Sequence, residues 1–285
     1  MKIITSPQEM KNISLTYQKG GQTIGFVPTM GALHKGHLSL LDIAKKQSDV
    51  CVMSIFVNPV QFGPKEDFKK YPRPFREDCD KAEAAGCDIV FAPSTEAMYP
   101  EHYSTYVTVE GITERLCGAS RPGHFRGVTT VVLKLFNIVM PQTAVFGQKD
   151  AQQVVVIKRM VHDLDISVRI VVGATVREFD GLAMSSRNVY LTAPERCDAP
   201  LICKGLQAAE KAYVEGERNA DTLIGLIKNV YSGTGMFSPE YIEIADITTL
   251  QPLKVLEKTA LIAVACRTKE STTRLIDNII VGGRM

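Results

Sequence analysis

The ten residues from Pro28 to His37 constrain the fold most, because an apolar run ends there and a helical pattern begins. The apolar run is residues 24–27, and the helical pattern consists of Leu38, Leu41, Ile43 and Ala44. This order predicts a strand, a tight loop and a helix start. In an open α/β sheet, ligands bind outside the carboxyl ends of the strands, where a helix N-terminus offers unpaired N–H groups and a positive dipole end to an anion. The stretch therefore predicts a polyphosphate site.

His34 and His37 stand three positions apart, so both imidazoles can face one pocket at the helix entrance. Gly31 and Gly36 allow the backbone to approach a ligand closely. Two alternatives stay open. A metal site is one, although zinc needs three or four protein ligands and the sequence has no HExxH or CxxC pattern. The other is that one histidine is a half-buried structural residue.

Strand and helix patterns alternate through the first 175 residues. The predicted strands are 23–27, 50–57, 89–91, 104–109, 143–146 and 168–172, and the predicted helices are 7–19, 38–47, 75–86, 128–139 and 151–162. Ser6 is the predicted cap of the first helix. This alternation predicts an α/β fold, with a Rossmann-like parallel sheet and helices on both faces.

The pattern changes near residue 176, where we place a domain boundary between 1–175 and 176–285. Beyond it the predicted helices are 193–215 and 220–231, and the predicted strands are 241–247, 260–267 and 273–281. These elements predict a smaller C-terminal α+β domain, which we expect to serve as a lid or to take part in a dimer.

Charge and cysteine content limit the function classes. With 33 basic and 31 acidic side chains the net charge is +2, which argues against a nucleic-acid partner. Seven cysteines without CxxC spacing are typical of reduced thiols and predict a cytoplasmic protein. The N-terminus lacks a signal-peptide core, and the apolar run 260–266 is shorter than the roughly 18 residues that span a bilayer, so no membrane role is expected.

Other polar residues follow predicted strands. Asn58 and Gln61 are neutral amides at a strand end, where a turn and a solvated loop are equally good explanations. Lys149 can reach a phosphate, Asp150 suits a helix cap, and Gln153 falls one turn into the next helix.

Two further segments carry cationic or hydroxyl side chains. Residues 184–188 combine two hydroxyls and a guanidinium, which suits phosphate binding or a plain polar hinge. The Gly-rich loop 118–127 holds Arg121, His124 and Arg126, which we leave outside the site with their roles open.

Five sequence blocks between residues 28 and 188 resemble, in order, the motif series of the pantothenate synthetase family, which carries the HxGH signature of the nucleotidylyltransferase superfamily. The blocks are PTMGALHKGH, SIFVNPVQF, RPGHFRG, FGQKD followed by QQ, and DGLAMSSRN. The sequence RLIDN at 274–278 extends the similarity into the second domain.

The resemblance implies an ATP-dependent ligase that condenses (R)-pantoate with β-alanine through a pantoyl adenylate, releasing AMP and pyrophosphate. It also implies a Mg²⁺ requirement, with metal ligands unknown, and a homodimer. His34, His37, Lys149 and Arg187 are the implied catalytic residues, with His37 as the proton donor.

The remaining implied roles concern binding. Pantoate is assigned to Gln61, Gln153 and Asn58, and β-alanine to Gln61. The nucleotide site comprises Met30, Gly31, Ala32, Leu33, His34, Lys35, Gly36, His37, Gly147, Gln148, Lys149, Asp150, Val176, Met184, Ser185, Ser186 and Arg187.

Two rival functions remain open from the sequence. One is another HxGH enzyme that adenylylates a phosphate-bearing substrate. The other is a regulator that binds a nucleotide and turns nothing over.

Overall fold

The computed structural model describes residues 1–64 and 66–285, which divide into two compact units. The first unit comprises Met1–Glu114, Gly118–Gly147 and Val156–Gly173, and the second comprises Arg115–Cys117, Gln148–Val155 and Ala174–Met285. The domain boundary near residue 176 stays a prediction.

A parallel sheet forms the first unit, with strand order β1-β4-β3-β2-β5-β6 among the described residues. Its strands are β1 (Lys2–Ile4), β2 (Ile24–Thr29), β3 (Val50–Ile55), β4 (Ile89–Phe91), β5 (Thr143–Gly147) and β6 (Arg169–Gly173). The helices up to this point in the chain are α1 (Pro7–Lys19), α2 (Lys35–Lys45), α3 (Phe75–Ala84), α4 (Thr95–Met98), α5 (Cys117–Ser120), α6 (His124–Val139) and α7 (Ala151–Asp163). The predicted α/β fold with a parallel sheet is confirmed.

The strand order changes direction at β2, which lies between β3 and β5. Such a switch point leaves a crevice outside the carboxyl ends of the strands, which is where ligands bind in open α/β sheets. The histidine loop follows β2 directly, so the fold places it at this crevice. Val27, Leu41, Met53 and Val145 are fully buried in one apolar cluster that holds α2 against the sheet.

The predicted strand at 104–109 is wrong, because this segment bonds to a helix instead of a neighbouring strand. The Val107 N–H donates to Thr130 Oγ1 at 3.0 Å, and Thr129 Oγ1 donates to the Val107 carbonyl at 2.7 Å. Thr129 and Thr130 lie on α6. Alternating side chains therefore reflect an extended chain laid along a helix.

Two other predictions change in detail. The single helix expected over 193–215 is divided into α8 (Ala193–Asp198) and α9 (Leu201–Val214), since Pro200 interrupts the pattern. The predicted Gly-rich loop 118–127 is largely helical, with α6 beginning at His124 after Gly123, whose φ is 81°.

The second unit packs helices against an antiparallel sheet ordered β7-β8-β9, which confirms the predicted α+β architecture. The strands are β7 (Phe237–Asp246), β8 (Ala260–Thr268) and β9 (Arg274–Val281), and the last helix is α10 (Ala220–Tyr231). Leu206, Leu223, Ile227 and Ile262 are fully buried in its core. None of the helices in the described part of the chain has the length and hydrophobicity to span a bilayer.

Glu195, at the start of α8, is a fully buried carboxylate that ties this helix to the β8–β9 turn. It accepts backbone N–H groups from Thr192 (3.1 Å), Glu270 (2.8 Å) and Ser271 (2.9 Å). Burial alone would raise the pKa of Glu195, but the Ser271 hydroxyl and these backbone N–H groups outweigh it and lower the pKa from 4.5 to about 2.

We predict that Glu195→Gln destabilises the protein by about 3 kcal/mol at pH 7, because the lowered pKa favours the native state wherever the carboxyl is ionised. That stabilisation is present above the unfolded-state pKa and is lost as the pH falls toward 2. Urea unfolding of both proteins at a series of pH values measures the difference. A difference that stays constant between pH 7 and pH 3, or one equal to that of the exposed control Glu210→Gln, would contradict this account.

Candidate active site

The entrance of α2 is capped by two imidazoles. His34 is the N-cap residue, and its Nδ1 accepts the Gly36 N–H at 3.1 Å. In return, His37 Nδ1 accepts the His34 N–H at 3.4 Å, and the two rings stack with centroids 4.0 Å apart. This is the reciprocal arrangement of a capping box, with histidines in place of the usual Ser and Glu.

The cap determines which ring nitrogen points away from the helix end. A neutral imidazole has one acceptor and one N–H donor. Because both Nδ1 atoms accept backbone N–H groups, each neutral ring of His34 and His37 carries its proton on Nε2. The helix entrance therefore carries two side-chain N–H donors, which suit phosphate oxygens.

The sequence predicted unpaired backbone N–H groups at this helix entrance, but most amides of the loop have acceptors within the protein. Gly31 N–H donates to Thr29 Oγ1 at 3.1 Å, and the N–H groups of Ala32 and Leu33 each donate to Asp78 at 2.7 Å. The histidine cap pairs two more backbone amides in the same way. Five backbone amides of this loop therefore already have acceptors within the protein.

Asp78 on α3 is the residue that sequence reasoning missed. It is fully buried and gives one carboxylate oxygen to each of two successive amides. The loop there is left-handed, with φ of 81° at Gly31 and 51° at Ala32, and a Cβ on Gly31 would lie 2.9 Å from Asp78 Oδ2. In the sequence, the local sign of this role was that Asp78 lies one turn before Ala82, on the apolar face of a predicted helix.

A chain of side-chain amides fixes Gln61. Asn58 Nδ2 donates to Gln61 Oε1 at 3.1 Å, and Asn58 Oδ1 accepts from Tyr99 OH at 2.8 Å. Since Oε1 is already an acceptor, Gln61 turns its Nε2 toward Met30 Sδ, 3.0 Å away. Asn58 is 1% exposed and directs its amide at protein groups, so it holds Gln61 in place; its assignment to pantoate stays a prediction.

His124, left outside the predicted site together with Arg121, contacts the Gln61 backbone and is itself held by Arg121. Arg121 forms a two-point ion pair with Glu66 at 2.7 and 2.6 Å and donates to His124 Nε2 at 3.0 Å. Arginine has no acceptor, so the neutral His124 ring carries its proton on Nδ1 and donates it to the Gln61 carbonyl at 2.9 Å. Burial alone would raise the pKa of Glu66, but Arg121 outweighs it and lowers that pKa.

Close packing also holds Gln61 against α6. A Cβ on Gly127 would lie 2.6 Å from Gln61 Cα and from its backbone N. Any larger residue at position 127 would displace the turn that carries Gln61. Arg126 stacks its guanidinium on the Tyr106 ring at 3.8 Å.

The other predicted residues of the first unit lie near α2. Gly147 ends β5, and a Cβ there would be 3.8 Å from Leu40 Cδ1 on that helix. Lys35 is exposed and Gly36 is half-buried in the first turn.

In the second unit, Lys149 and Ser185 line one small cavity. Asn188, Asp277 and the apolar residues Leu182, Ala183, Ile202, Leu275 and Ile276 complete its lining. Lys149 lies in a 3₁₀ turn, Gln148–Asp150, whose last residue is exposed. Gln153 follows in the first turn of α7 and is half-buried.

The segment from Val176 to Arg187 is a tight hairpin followed by a 3₁₀ turn. The Met184 N–H donates to the Val176 carbonyl at 3.0 Å, which closes the hairpin. Ser185 then caps the turn Ser186–Tyr190, with its Oγ accepting the Arg187 N–H at 3.2 Å. Among the described residues, no group of three or more His, Cys, Asp or Glu side chains could hold a metal ion.

The comparison with known families covers nearly the whole chain. A family model described as pantoate-beta-alanine ligase matches residues 2–280. The chain belongs to the pantoate-beta-alanine ligase family. It is therefore a ligase that forms an amide bond.

Members of the pantoate-beta-alanine ligase family share about half of the sequence. A pantothenate synthetase of Thermoanaerobacter sp. (strain X514) is 54% identical over 274 residues, covering 96% of each chain. Another from Acetivibrio thermocellus is 52% identical over 281 residues, covering 99% of each chain.

Solved structures of the family share the fold. Pantothenate synthetase from Thermus thermophilus matches with a TM-score of 0.92 and 41% identity, covering 98% of this chain and 99% of that one. The Francisella tularensis pantoate-beta-alanine ligase, complexed with beta-gamma ATP and beta-alanine, matches with a TM-score of 0.80 and 35% identity, covering 98% and 97%.

We predict that Asp78→Asn lowers the rate of ATP consumption by about 10²-fold, the scale expected when a reacting group moves by about 1 Å. Asparagine supplies one acceptor where two amides need two, and its NH₂ group faces an N–H donor. Stability should fall by roughly 1 to 3 kcal/mol for the unpaired amide. Steady-state kinetics and urea unfolding check both effects. The matched control is Asp80→Asn, an exposed carboxylate on α3; equal rates in the two variants would reject the positioning role of Asp78.

Proposed function

We propose that this ligase condenses (R)-pantoate with β-alanine, consuming ATP and releasing AMP and pyrophosphate through a pantoyl adenylate. The observation that carries the proposal is the doubly capped entrance of α2, where His34 and His37 carry Nε2–H donors at the switch point of the sheet. Relatives named pantothenate synthetase at about half identity support the substrates. The ATP and beta-alanine complex of the Francisella tularensis ligase supports the nucleotide and the amine.

The first step requires charge stabilisation more than a base. A carboxylate such as that of pantoate has a pKa of about 4 and is ionised at neutral pH, so it can attack the α-phosphorus directly. Negative charge then grows on the departing pyrophosphate. We assign His34, His37, Lys149 and Arg187 to that charge, since donors aimed at a developing anion contribute several kcal/mol in a water-poor site.

Neutral amides suit the pantoate site. Gln61 offers its Nε2–H₂ group, because Asn58 occupies its carbonyl oxygen. We assign Gln61 and Gln153 to the hydroxyls and carboxylate of pantoate, and Gln61 also to β-alanine. Amides can pair with these groups without adding a second buried charge.

We also propose a Mg²⁺ requirement, a homodimer and a cytoplasmic location. The donor set fits a magnesium ion that is held mostly by the substrate, since Mg²⁺ commonly binds through phosphate oxygens, waters and one or two carboxylates. Asp150, an exposed carboxylate beside Lys149, is our candidate for a protein ligand to such an ion. Bound Mg²⁺ would neutralise charge on the leaving pyrophosphate.

One assay tests the reaction and its two rivals. The chain is incubated with ATP, pantoate and β-alanine, and AMP and pantothenate are measured. We expect equal amounts of both products over many turnovers, together with pyrophosphate–ATP exchange that needs pantoate alone. Exchange supported by a phosphate-bearing substrate and not by pantoate would favour another HxGH enzyme. ATP binding without AMP formation would favour a nucleotide-binding regulator.

We predict that His37→Ala cuts adenylate formation by about 10²-fold, the scale for losing one charge-stabilising donor. The helix should remain folded, because loss of a cap costs about 1 kcal/mol. Single-turnover formation of pantoyl adenylate measures the rate, and circular dichroism checks the fold. His102→Ala, at an exposed histidine, is the control. A near-normal single turnover in the His37 variant would contradict the assignment.

We predict that Gln61→Ala weakens pantoate binding much more than ATP binding. A substrate group left without its partner costs roughly 1 to 3 kcal/mol, which corresponds to about 5- to 150-fold in affinity. Michaelis constants for the two substrates, compared with those of the exposed control Gln8→Ala, give the answer. If ATP affinity fell as far as pantoate affinity, the subsite would be assigned wrongly.

A further inference from the structure

Asn278 on β9 directs its whole side-chain amide at the segment that carries Lys149. It is 3% exposed, and its Nδ2 donates to the carbonyl oxygens of Gln148 and Lys149, each at 3.0 Å. Its Oδ1 accepts the Gln148 side-chain amide at 3.4 Å. Asn278 belongs to the RLIDN motif, to which the proposed reaction assigns no role.

The two carbonyl groups that accept these hydrogen bonds belong to successive residues of the chain, so one side chain fixes two neighbouring peptide groups. An asparagine NH₂ group has two hydrogens, one for each carbonyl. Fixing both carbonyl directions fixes the backbone of the 3₁₀ turn Gln148–Asp150, and with it the direction in which the Lys149 side chain leaves the chain. An aspartate of the same shape, which has no N–H donor, could satisfy neither carbonyl.

Asn278 is itself held rigidly. Its backbone pairs with Ala263 in the antiparallel ladder between β8 and β9. Its N–H also donates to Asp277 Oδ1 at 2.8 Å. The turn that carries Lys149 is thus bonded to a sheet and not to another loop.

The neighbouring Asp277 holds the second phosphate-directed segment in the same way. Its buried carboxylate accepts two bonds from Arg177, at 2.5 and 3.1 Å, and Arg177 also donates to the Gly181 carbonyl at 3.1 Å. These bonds hold the hairpin that leads to Ser185. Lys149 and Ser185 line the same cavity as Asp277, so one strand supports both segments.

We infer that Asn278 is a positioning residue for Lys149, and that the β9 sequence at 277–278 sets the spacing of the cationic and hydroxyl groups that meet the ATP phosphates. The inference rests on the proposed function in one respect, the contact between Lys149 and ATP. The side-chain amide of Asn278 bonds to the turn itself, and we assign its effect to the turn that it holds.

A double-mutant cycle on ATP binding tests this inference. Asn278→Ala, Lys149→Ala and the double variant are compared by calorimetric titration with ATP and by single-turnover AMP formation. We expect Asn278→Ala to lower single-turnover AMP formation by about 10- to 100-fold, the scale of a displaced reacting group. In the Lys149→Ala background the same change should cost less than about twofold in both readouts, because its target is gone. Additive losses would overturn the inference.

Two further variants separate positioning from a general loss of folding. Asn278→Asp keeps the shape of the side chain but presents an oxygen acceptor to both carbonyls, so it should lose at least as much as alanine; a rate near that of the unaltered chain would count against the two-carbonyl argument. Asn229→Ala, at an exposed asparagine on α10, should match the unaltered chain. If the losses at position 278 followed the unfolding midpoint in both backgrounds, Asn278 would be a fold-supporting residue only, and the inference would be wrong.

The result is distinguishable from failure of the proposed function. If the unaltered chain formed no AMP with pantoate, the proposed reaction would be rejected by that assay alone. The cycle on ATP affinity needs neither pantoate nor β-alanine. Coupling between positions 149 and 278 in ATP binding would then still support the inference, and its absence would reject it.

Discussion

The backbone N–H groups ahead of α2 are the constraint on which the site depends. A tight loop and the helix start that follows it leave several amides without partners in regular structure, and a buried amide without a partner costs about 1 to 3 kcal/mol. Here Thr29, Asp78 and the two histidines supply the missing acceptors. The consequence is chemical as well as structural. The imidazoles cap the helix through Nδ1, so we assign the anion to their Nε2–H groups rather than to the backbone.

Buried asparagine side chains orient two other residues that we assign to substrate binding. Gln61 is oriented by the buried Asn58, which donates to its carbonyl and so turns its NH₂ group toward Met30 Sδ. Lys149 is oriented by the buried Asn278 through two backbone carbonyls. In each unit an asparagine at a strand or strand end bonds to protein groups and thereby orients a neighbouring residue that we assign to substrate. Adenylate formation needs such preorganised donors, because charge develops within a single step.

The sequence predicted the parts of this arrangement that have local causes. Apolar runs, helical periodicity and cap residues placed β2 to β6, α1 and α10 with errors of a few residues, and the histidine spacing placed the helix entrance. Asp78 was missed because it meets Ala32 across 46 positions, and no local pattern encodes such a contact. His124 and Arg121 were set aside for the same reason. The extended segment at 104–109 alternates like a strand, yet its partners are threonine hydroxyls on α6.

Both imidazoles at the entrance of α2 cap the helix through Nδ1, and we infer that they carry their protons on Nε2. Nitrogen-15 NMR of histidine-labelled protein tests this directly at a pH well above the usual histidine pKa of about 6.5, where neutral rings dominate. His102, which is largely exposed, gives the reference for an unconstrained ring. We predict acceptor-type signals for Nδ1 and protonated signals for Nε2 at both His34 and His37. Protonation of Nδ1 in either ring, or the averaged tautomers of the reference, would contradict the account.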